Sequence, residues 1–288
     1  MKKSISAIVA MMILGASAVF AMGGQDGASD DITVISRESG SGTRGAFVEL
    51  FGIEKKNSAG KKIDYTVTSA DISNSTEVVI QSVSGNKSAI GYISLGSLND
   101  SVKALKIDGA TASVASIKNG SYKISRPFNI VTKTSNNNEL VADFIRFILS
   151  KEGQAIVESR GYIAAASNPS YIPTGKKGKI TIAGSSSVFP VMEKLSEGYK
   201  KLNPNMVVEV SQSDSGTGIT SATQGVCDIG MASRNLKSSE TEKGIISTKI
   251  AIDGVAVIVN KANPINDITK DNVQKIYTGE TILWSNVK

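Results

Sequence analysis

The sequence predicts an α/β protein, because short apolar segments with strand character alternate with segments of helical periodicity. Three apolar runs, beginning at Ile32, Ile180 and Val207, break into clusters of serine and glycine that lead into a helical pattern. A strand that ends in small residues at a helix N-terminus presents unpaired N–H groups, the positive end of the helix dipole and hydroxyl donors. Three such transitions predict loops that converge on one small oxyanion.

The first transition carries the sharpest motif, Arg37-x-x-Gly40-Ser41-Gly42-Thr43-Arg44. The two glycines let the backbone approach a ligand closely, Ser41 and Thr43 add hydroxyl donors, and Arg37 supplies a charged fork. The motif is not a P-loop, because the Gly-Lys-Ser/Thr ending is missing. The alternative interpretation is a glycine-rich turn with surface arginines.

The other two transitions are less specific. In the run from Gly184 to Pro190 the serines either donate to an anion or cap the helix that the proline begins. The run from Ser215 to Gly218 is followed by a strand that places Ser233 and Arg234 near the carboxyl edge of the sheet, where α/β ligands bind. Arg234 is equally interpreted as an exposed salt-bridge partner.

Further elements follow from periodicity and capping residues. The pattern predicts a helix over 74–83 that is ended by Gly85, a buried strand over 89–94, a helical pattern from 140 that resumes through 157, a long buried strand over 250–259, and a helix from Thr269 to Gly279. Segment 161–179 contains two prolines and is predicted to connect two strand–helix series.

Composition excludes several function classes. The 288 residues are 40% hydrophobic and only 5% aromatic, which argues against a stacking platform for nucleic acid. The chain has no histidine, so His-based triads and His-metal sites are excluded. Its single cysteine, Cys227, permits no disulfide within the chain and is interpreted as a buried small residue rather than a reactive thiol. We expect neither a metal nor a cofactor.

The N-terminus is predicted to direct export. Residues 1–21 combine Lys2 and Lys3 with an apolar stretch and a small-residue cleavage site, which is typical of a signal peptide; an uncleaved anchor is the alternative. Residues 22–30 are expected to form a flexible leader, and Met22 stands where a lipid-anchored protein would carry cysteine. Cleavage would reduce the net charge from +6 to +4, with 30 basic against 26 acidic residues, a mild excess that favours anionic ligands in general.

Together, these segments resemble the phosphate-binding proteins of Pst-type ABC importers from residue 31 to the end. The segments that carry the resemblance are Arg37–Thr43, Ile90–Ser94, Arg126–Phe128, Ile180–Pro190, Asp228–Arg234, Ile252–Asn260 and Ile268–Trp284. The resemblance implies a two-lobed type II periplasmic binding protein fold that encloses phosphate in a cleft between the lobes.

The two halves stand in the reverse of the family's order, so we expect a circular permutant. The half that normally comes last occupies about 31–165, and the half that normally comes first occupies about 178–288. The old termini would be fused through 161–179, and the new ones would lie in the loop between Trp284 and Asp31. A fragment of a tandem duplication and an engineered chain are the competing accounts.

The resemblance also implies the lobes and the site residues. One lobe would comprise 31–125 with 259–288, the other 126–258, and the strands near 126–132 and 250–260 would serve as hinges. The residues implied to contact phosphate are Arg37, Ser41, Gly42, Thr43, Ser186, Ser187, Val188 through its N–H, and Ser215. Three further candidates for the site are Asp214, Arg234 and Glu38. Some relatives accept the P–OH proton with an aspartate where this chain has Arg234, and Asp214 or Glu38 would take that role here.

The sequence therefore predicts a non-enzymatic, monomeric receptor that captures inorganic phosphate and delivers it to the membrane permease of an ABC importer. Nucleic acid is not an expected partner. One alternative is the same fold selecting sulfate or molybdate. Another is a phosphate-ester hydrolase with Ser41 or Ser187 as the nucleophile, which lacks a histidine base and a metal-ligand cluster. A third is a non-binding remnant that interacts with a partner.

Overall fold

The computed structural model describes residues 30–287. The predicted signal peptide and residues 22–29 of the predicted leader lie outside the described residues. The strands are β1 Thr33–Arg37, β2 Glu54–Lys56, β3 Lys62–Asp64, β4 Asp71–Ser73, β5 Ala89–Ser94, β6 Val102–Ala104, β7 Lys106–Ile107, β8 Ser125–Lys133, β9 Ile163–Ala164, β10 Gly178–Ser185, β11 Met206–Ser213, β12 Ile229–Ala232, β13 Ile245–Asn260 and β14 Asp267–Ile268. The helices are α1 Gly42–Leu50, α2 Thr76–Gly85, α3 Val114–Lys118, α4 Glu139–Leu149, α5 Lys151–Ser159, α6 Phe189–Leu202, α7 Ser215–Gln224, α8 Ser238–Thr241 and α9 Lys270–Tyr277. Between residues 30 and 287, every helix is too short or too polar to cross a membrane.

Most predicted elements are present near their predicted bounds, and two differ. The helical pattern over 140–157 is split into α4 and α5 at Ser150, whose side chain accepts from Gly153 N–H and so caps α5. Its backbone N–H also bonds to Phe147, so one serine both ends one helix and starts the next. Strand β13 extends to 16 residues, five before the predicted start at 250, because its N-terminal half pairs with β8.

One continuous path of hydrogen-bonded strands runs through the molecule in the order β11-β10-β12-β8-β13-β5-β1-β4. Strand β10 is parallel to β11 and β12, and β1 is parallel to β5 and β4. The central strands β8 and β13 are antiparallel to each other, with β12 next to β8 and β5 next to β13. The two parallel groups therefore lie at opposite ends of the path and are joined by antiparallel strands.

The buried apolar side chains form two cores. The terminal core, defined here by buried residues of 35–124 and 255–277, packs α1, α2 and α9 around β1 and β5. The central core, defined by buried residues of 128–251, packs α4, α5 and α6 around β8 and β10. A smaller cluster that includes Ile219 and Ala222 of α7 packs near β12 and belongs to the same half of the molecule.

Two strands connect the cores. Strand β8 follows Ile124 of the terminal core and reaches Phe128 of the central core, and β13 passes from Ala251 of the central core to Val255 of the terminal core. The change of core along β13 lies between 251 and 255, whereas the predicted lobe boundary lies at 258/259. Strand β13 changes core early because Val255 to Val259 pair with β5.

Candidate functional site

Four helix N-termini meet between the two cores. Helices α1 and α2 begin beside the carboxyl ends of β1 and β4 in the terminal half, and α6 and α7 begin beside the ends of β10 and β11 in the central half. The first backbone N–H groups of a helix have no acceptor within it, and the helix dipole is positive at that end. The cleft therefore presents backbone donors and positive potential from both sides.

Arg37, the last residue of β1, is the charged group of this cleft and is 1% exposed. Its Nε and Nη2 each bond to a different carboxylate oxygen of Glu38 at 2.7 Å, and Nη2 also donates to Ser186 Oγ of the central half at 3.1 Å. Nη1 lies 3.5 Å from Thr76 Oγ1. Glu38 therefore orients the guanidinium, and the guanidinium in turn reaches across the cleft.

The backbone under Arg37 is held by Tyr92 of β5. The Tyr92 hydroxyl accepts from the Arg37 N–H at 3.1 Å and lies 2.9 Å from Ser36 Oγ. Burial raises the pKa of Tyr92 to about 12, although these hydrogen bonds act in the opposite direction. The phenol thus stays neutral and fixes the end of β1.

Buried hydroxyl groups line the cleft on both sides. Thr43 Oγ1 lies 2.7 Å from Ser187 Oγ, and Thr76 Oγ1 lies 3.2 Å from the same Ser187 oxygen. In a second group, Ser233 Oγ lies 3.0 Å from Ser185 Oγ and 3.3 Å from Ser215 Oγ. Each of these hydroxyl-bearing residues is at most 4% exposed. A hydroxyl both donates and accepts, so this lining adapts to an anion with or without a proton.

Two glycines make the close approach of the halves sterically allowed. A Cβ on Gly42 would lie 2.4 Å from Ser215 Oγ and 2.6 Å from Ser233 Oγ. A Cβ on Gly40 would lie 2.2 Å from Asp214 Oδ1, and the Gly40 carbonyl accepts from Gly216 N–H at 3.1 Å across the cleft. The glycines predicted to let a backbone approach a ligand also let the two halves approach each other.

The structure brings most of the predicted contact residues together, and Val188 differs. Arg37, Gly42, Thr43, Ser186, Ser187 and Ser215 all border the cleft. Ser41 is buried beside them and caps α1 by accepting from Arg44 N–H at 3.2 Å. The Val188 N–H instead donates to the Ser185 carbonyl at 3.0 Å in the turn before α6, and its side chain lies in the central core.

The three further candidates are each bonded to another partner. Asp214 caps α7 and accepts from Thr217 N–H at 2.9 Å and Thr217 Oγ1 at 2.6 Å. Both oxygens of Glu38 are on Arg37. Arg234 places Nη1 and Nη2 at 2.8 Å from the two oxygens of Glu240. Burial alone would raise the pKa of Glu240, but the hydrogen bonds from Arg234 and from Lys237 N–H outweigh it and lower that pKa.

Thr76 is not among the residues expected at the site. Ser185 is expected there only as one of the serines of the run from Gly184 to Pro190, and Ser233 is expected at the sheet edge without an assigned contact. Thr76 had a detectable signal, because the segment from Ile72 to Thr76 repeats the pattern of a strand, a hydroxyl-rich turn and a helix. Within residues 30–287, no group of three or more Cys, Asp or Glu side chains is arranged to hold a metal ion.

Comparisons with known proteins identify the family of this chain. A family model described as a PBP superfamily domain matches residues 16–152 and 169–287. The phosphate-binding protein PstS 2 of Streptococcus agalactiae is 54% identical over 284 residues, which cover 99% of this chain and 97% of that protein. PstS 2 of Streptococcus pneumoniae is 46% identical over 262 residues, which cover 91% of this chain and 89% of that protein.

A solved structure is also similar over most of the chain. The crystal structure of a phosphate-binding protein of a phosphate ABC transporter from Streptococcus pneumoniae has a TM-score of 0.70 and 46% identity, covering 90% of this chain and all of that one. The predicted α/β type II fold and the predicted family are thereby confirmed. This chain belongs to the PBP superfamily, in the family of the PstS phosphate-binding proteins.

Proposed function

We propose that this chain captures inorganic phosphate outside the cytoplasm and delivers it to the permease of an ABC importer. The observation that carries the proposal is Arg37, buried among hydroxyl groups of both halves where four helix N-termini meet. The printed names of its relatives, which cover nearly the whole chain, support the same ligand. Its relatives are binding proteins of transporters, and we propose that this chain is likewise a receptor, not an enzyme.

The proposed contacts come from both halves. From the terminal half, Arg37 contributes its guanidinium group, and Ser41 and Thr43 contribute their hydroxyls. Gly42 and Thr43 also contribute the backbone N–H groups of the first helical turn. From the central half, Ser186, Ser187 and Ser215 contribute hydroxyls. Closure places these donors around a dehydrated tetrahedral anion and excludes water, so each charge-assisted hydrogen bond is strong. Glu38 keeps the guanidinium in place between binding events.

In this proposal, serine and threonine hydroxyls accept the hydrogen bond from the protonated oxygen of phosphate. Glu38 and Asp214 are already bonded to Arg37 and Thr217, and Arg234 is paired with Glu240. A serine or threonine oxygen accepts the P–OH proton and still donates its own hydrogen elsewhere. Sulfate lacks that proton at pH 6 and pH 8, and the hydroxyls can also donate to it, so competition between sulfate and phosphate at the two pH values measures directly whether the site selects phosphate or accepts oxyanions in general.

Calorimetry on protein stripped of bound ligand tests the proposal. We expect phosphate to bind with a micromolar or lower Kd, and Arg37→Ala to lose about 2–5 kcal/mol of binding free energy, because a fork directed at a buried charge is removed. Arg160→Ala is the matched control, since Arg160 is exposed outside the cleft. Absence of heat with phosphate would overturn the proposal. Turnover of a chromogenic phosphate ester that is abolished by Ser41→Ala or Ser187→Ala would favour the hydrolase.

We also propose the two lobes and the permuted order. The first and last described segments are paired: Ile32 N–H donates to the Ile282 carbonyl and Trp284 N–H donates to the Asp30 carbonyl, each at 2.8 Å. Segment 161–179 joins β9 to β10 within the central half. The pairing supports a permuted chain whose termini lie together near 31 and 284. The position of segment 161–179 supports a fusion of the family's original termini there. A chain reopened within 168–170, with 287 linked to 31, should fold and bind phosphate with an unchanged Kd.

The last part of the proposal concerns export of the chain and its oligomeric state. Cleavage after residue 21 would release a chain that begins at Met22, without a cysteine for lipid attachment, and we propose that it acts as a monomer. Mass spectrometry of the secreted protein tests the cleavage site and the absence of a lipid. Light scattering of the purified protein tests the monomeric state.

A further inference from the structure

A second arginine lies behind the anion loop, the name used here for residues 37–43. Arg44 is in the first turn of α1, and its side chain turns back to the start of the loop, so that 19% of it is exposed. Its Nη1 donates to the Arg37 carbonyl at 2.7 Å, and its Nε donates to Asp64 Oδ2 at 2.7 Å. Arg44 is therefore built into the loop and is not a free surface arginine.

Side chains hold both backbone polar groups of Arg37. The Arg37 N–H donates to the Tyr92 hydroxyl at 3.1 Å, and the Arg37 carbonyl accepts from Arg44. Because each peptide group is planar, fixing the group before Arg37 and the group after it leaves its φ and ψ little freedom. The bond from Arg44 thus sets the direction in which the Arg37 guanidinium enters the cleft.

Asp64, the last residue of β3, holds Arg44 from outside the cleft. Its Oδ1 accepts from Thr66 N–H at 2.8 Å and from Thr66 Oγ1 at 2.6 Å, and its Oδ2 accepts from Arg44. Burial alone would raise the pKa of Asp64, but the hydrogen bonds from Thr66 and Arg44 outweigh it and lower that pKa. The carboxylate is therefore charged at neutral pH and uses both oxygens.

The turn that follows Asp64 is attached to the terminal core. Val67 N–H donates to the carbonyl of Tyr277, a fully buried residue of α9, at 2.7 Å. The Tyr277 hydroxyl in turn donates to the Ile35 carbonyl of β1 at 3.1 Å. Asp64 is thus anchored to the same core as the strand that ends at Arg37, and Arg44 bridges the two.

We propose that Arg44 and Asp64 are positioning residues of the anion site, which set its affinity by fixing Arg37 and not by their charge. Their opposite charges lie 2.7 Å apart, so their fields largely cancel at the distance of the ligand. Their effect is geometric, because a binding group keeps its place only when the residues around it hold it. This inference rests on the proposed receptor function.

The first test is Asp64→Asn, for which charge and geometry predict changes of opposite sign. Removal of a negative charge near an anion site strengthens binding if long-range attraction dominates. An asparagine has one accepting oxygen where Thr66 and Arg44 need two, so we expect calorimetry to show phosphate binding weakened by about threefold to tenfold. Asp271→Asn is the control, because it removes the same charge from an exposed pair with Lys275 on α9 and should leave the Kd unchanged.

The second test separates charge from geometry at Arg44. Arg44→Lys keeps the charge but loses the two separately placed nitrogens, whereas Arg44→Gln loses the charge as well. We expect both variants to bind phosphate about tenfold more weakly than the parent and to differ from each other by less than threefold. A parental Kd for Arg44→Lys beside a weakened one for Arg44→Gln would show that Arg44 acts through its charge, which overturns the inference.

Hydrogen exchange without phosphate measures how firmly the loop is held. In Asp64→Asn and Arg44→Lys we expect faster exchange of the amides in 37–45, including Ser41 N–H, which donates to the Glu38 carbonyl, and unchanged exchange in β5 and β13. Faster exchange throughout the terminal core would indicate a merely structural role and overturn the inference, as would equal or tighter phosphate binding by Asp64→Asn. Failure of the parent to bind phosphate overturns the proposed function instead, and the exchange comparison still decides whether the pair fixes the loop.

Discussion

Thr43 of the terminal half and Ser187 of the central half share a hydrogen bond of 2.7 Å between their side-chain oxygens, and neither residue is more than 1% exposed. Each residue stands at the N-terminal end of a helix that begins at the cleft, α1 for Thr43 and α6 for Ser187. One hydrogen occupies the bond between the two oxygens, so the other hydrogen is available to an acceptor in the cleft. We therefore propose that the pair couples closure of the halves to donation toward an anion.

Replacement of Thr43 by valine tests this coupling. Thr43→Val keeps the shape and removes the hydroxyl, so we expect phosphate affinity to fall by about 1.5–3 kcal/mol, the range for a hydrogen bond to a charged group. Calorimetry measures the change. Thr248→Val on β13, a half-buried position in the central half outside the cleft, is the control. Equal affinity of Thr43→Val and the parent protein would show that this hydroxyl does not reach the ligand.

A variant of Gly42 tests whether closure of the two halves requires a residue without a side chain at this position. In Gly42→Ala the new Cβ would meet the Ser215 and Ser233 hydroxyls at 2.4 and 2.6 Å, closer than Cβ atoms approach other atoms. We expect the halves to stay apart and phosphate affinity to fall by tenfold or more, about 1.4 kcal/mol. Thermal stability should change little. Gly85→Ala at the end of α2, where nothing lies within 4 Å, is the control, and a similar loss in both variants would contradict a role in closure.

A variant of Arg234 tests whether the ligand site extends to this arginine. Its guanidinium is held by Glu240 with two bonds of 2.8 Å and is not bonded to any of the cleft hydroxyls. Arg234→Gln should therefore leave the Kd for phosphate within about threefold, whereas Arg37→Ala weakens binding strongly. Measurements at low and high salt separate a direct contact from long-range attraction, because salt screens the latter. A tenfold loss at high salt would place Arg234 at the ligand.

The connector 161–179 is fastened by the buried carboxylate of Asp143, which is 0% exposed. It accepts from Tyr171 at 2.7 Å and Thr174 at 3.0 Å in the connector, from Tyr199 of α6 at 2.6 Å, and from Arg146. Burial alone would raise the pKa of Asp143, but these hydrogen bonds outweigh it and lower that pKa. The carboxylate is therefore stabilised in its charged form when the chain is folded.

The direction of the pH dependence follows. A carboxyl group with a lowered pKa in the folded chain stabilises it above the unfolded value of about 3.9, and that contribution is lost as the pH falls through the folded value. Asp143→Asn should lower the free energy of unfolding at pH 7 by about 1.5–3 kcal/mol, the range for hydrogen bonds to a charged group. Urea unfolding between pH 7 and pH 3 should show a smaller loss on acidification for the variant. Parallel curves for the two proteins would contradict this role.

Part of the site was accessible from sequence because local chemistry carries it. Arg37, Ser41, Gly42 and Thr43 are contiguous, and an arginine before Gly-Ser-Gly-Thr at a strand end indicates an anion loop without reference to the rest of the chain. Thr76 and Ser185 each follow a strand end that the sequence can indicate, but their contacts with Ser187 and Ser233 come from distant segments and are seen only in the folded chain. The occupied N–H of Val188 likewise depends on how its turn closes.

By itself, the sequence determined the α/β class, most helix and strand positions, and the residue types that suit a small oxyanion, because capping, periodicity and loop chemistry are properties of neighbouring residues. Only the tertiary structure decided which hydroxyls meet across the cleft, that Arg37 reaches Ser186 of the other half, and that Arg126 and Asp253 pair where the cores join. Those contacts link residues up to 149 positions apart in the chain. They depend on how two cores pack through β8 and β13, which no local pattern specifies.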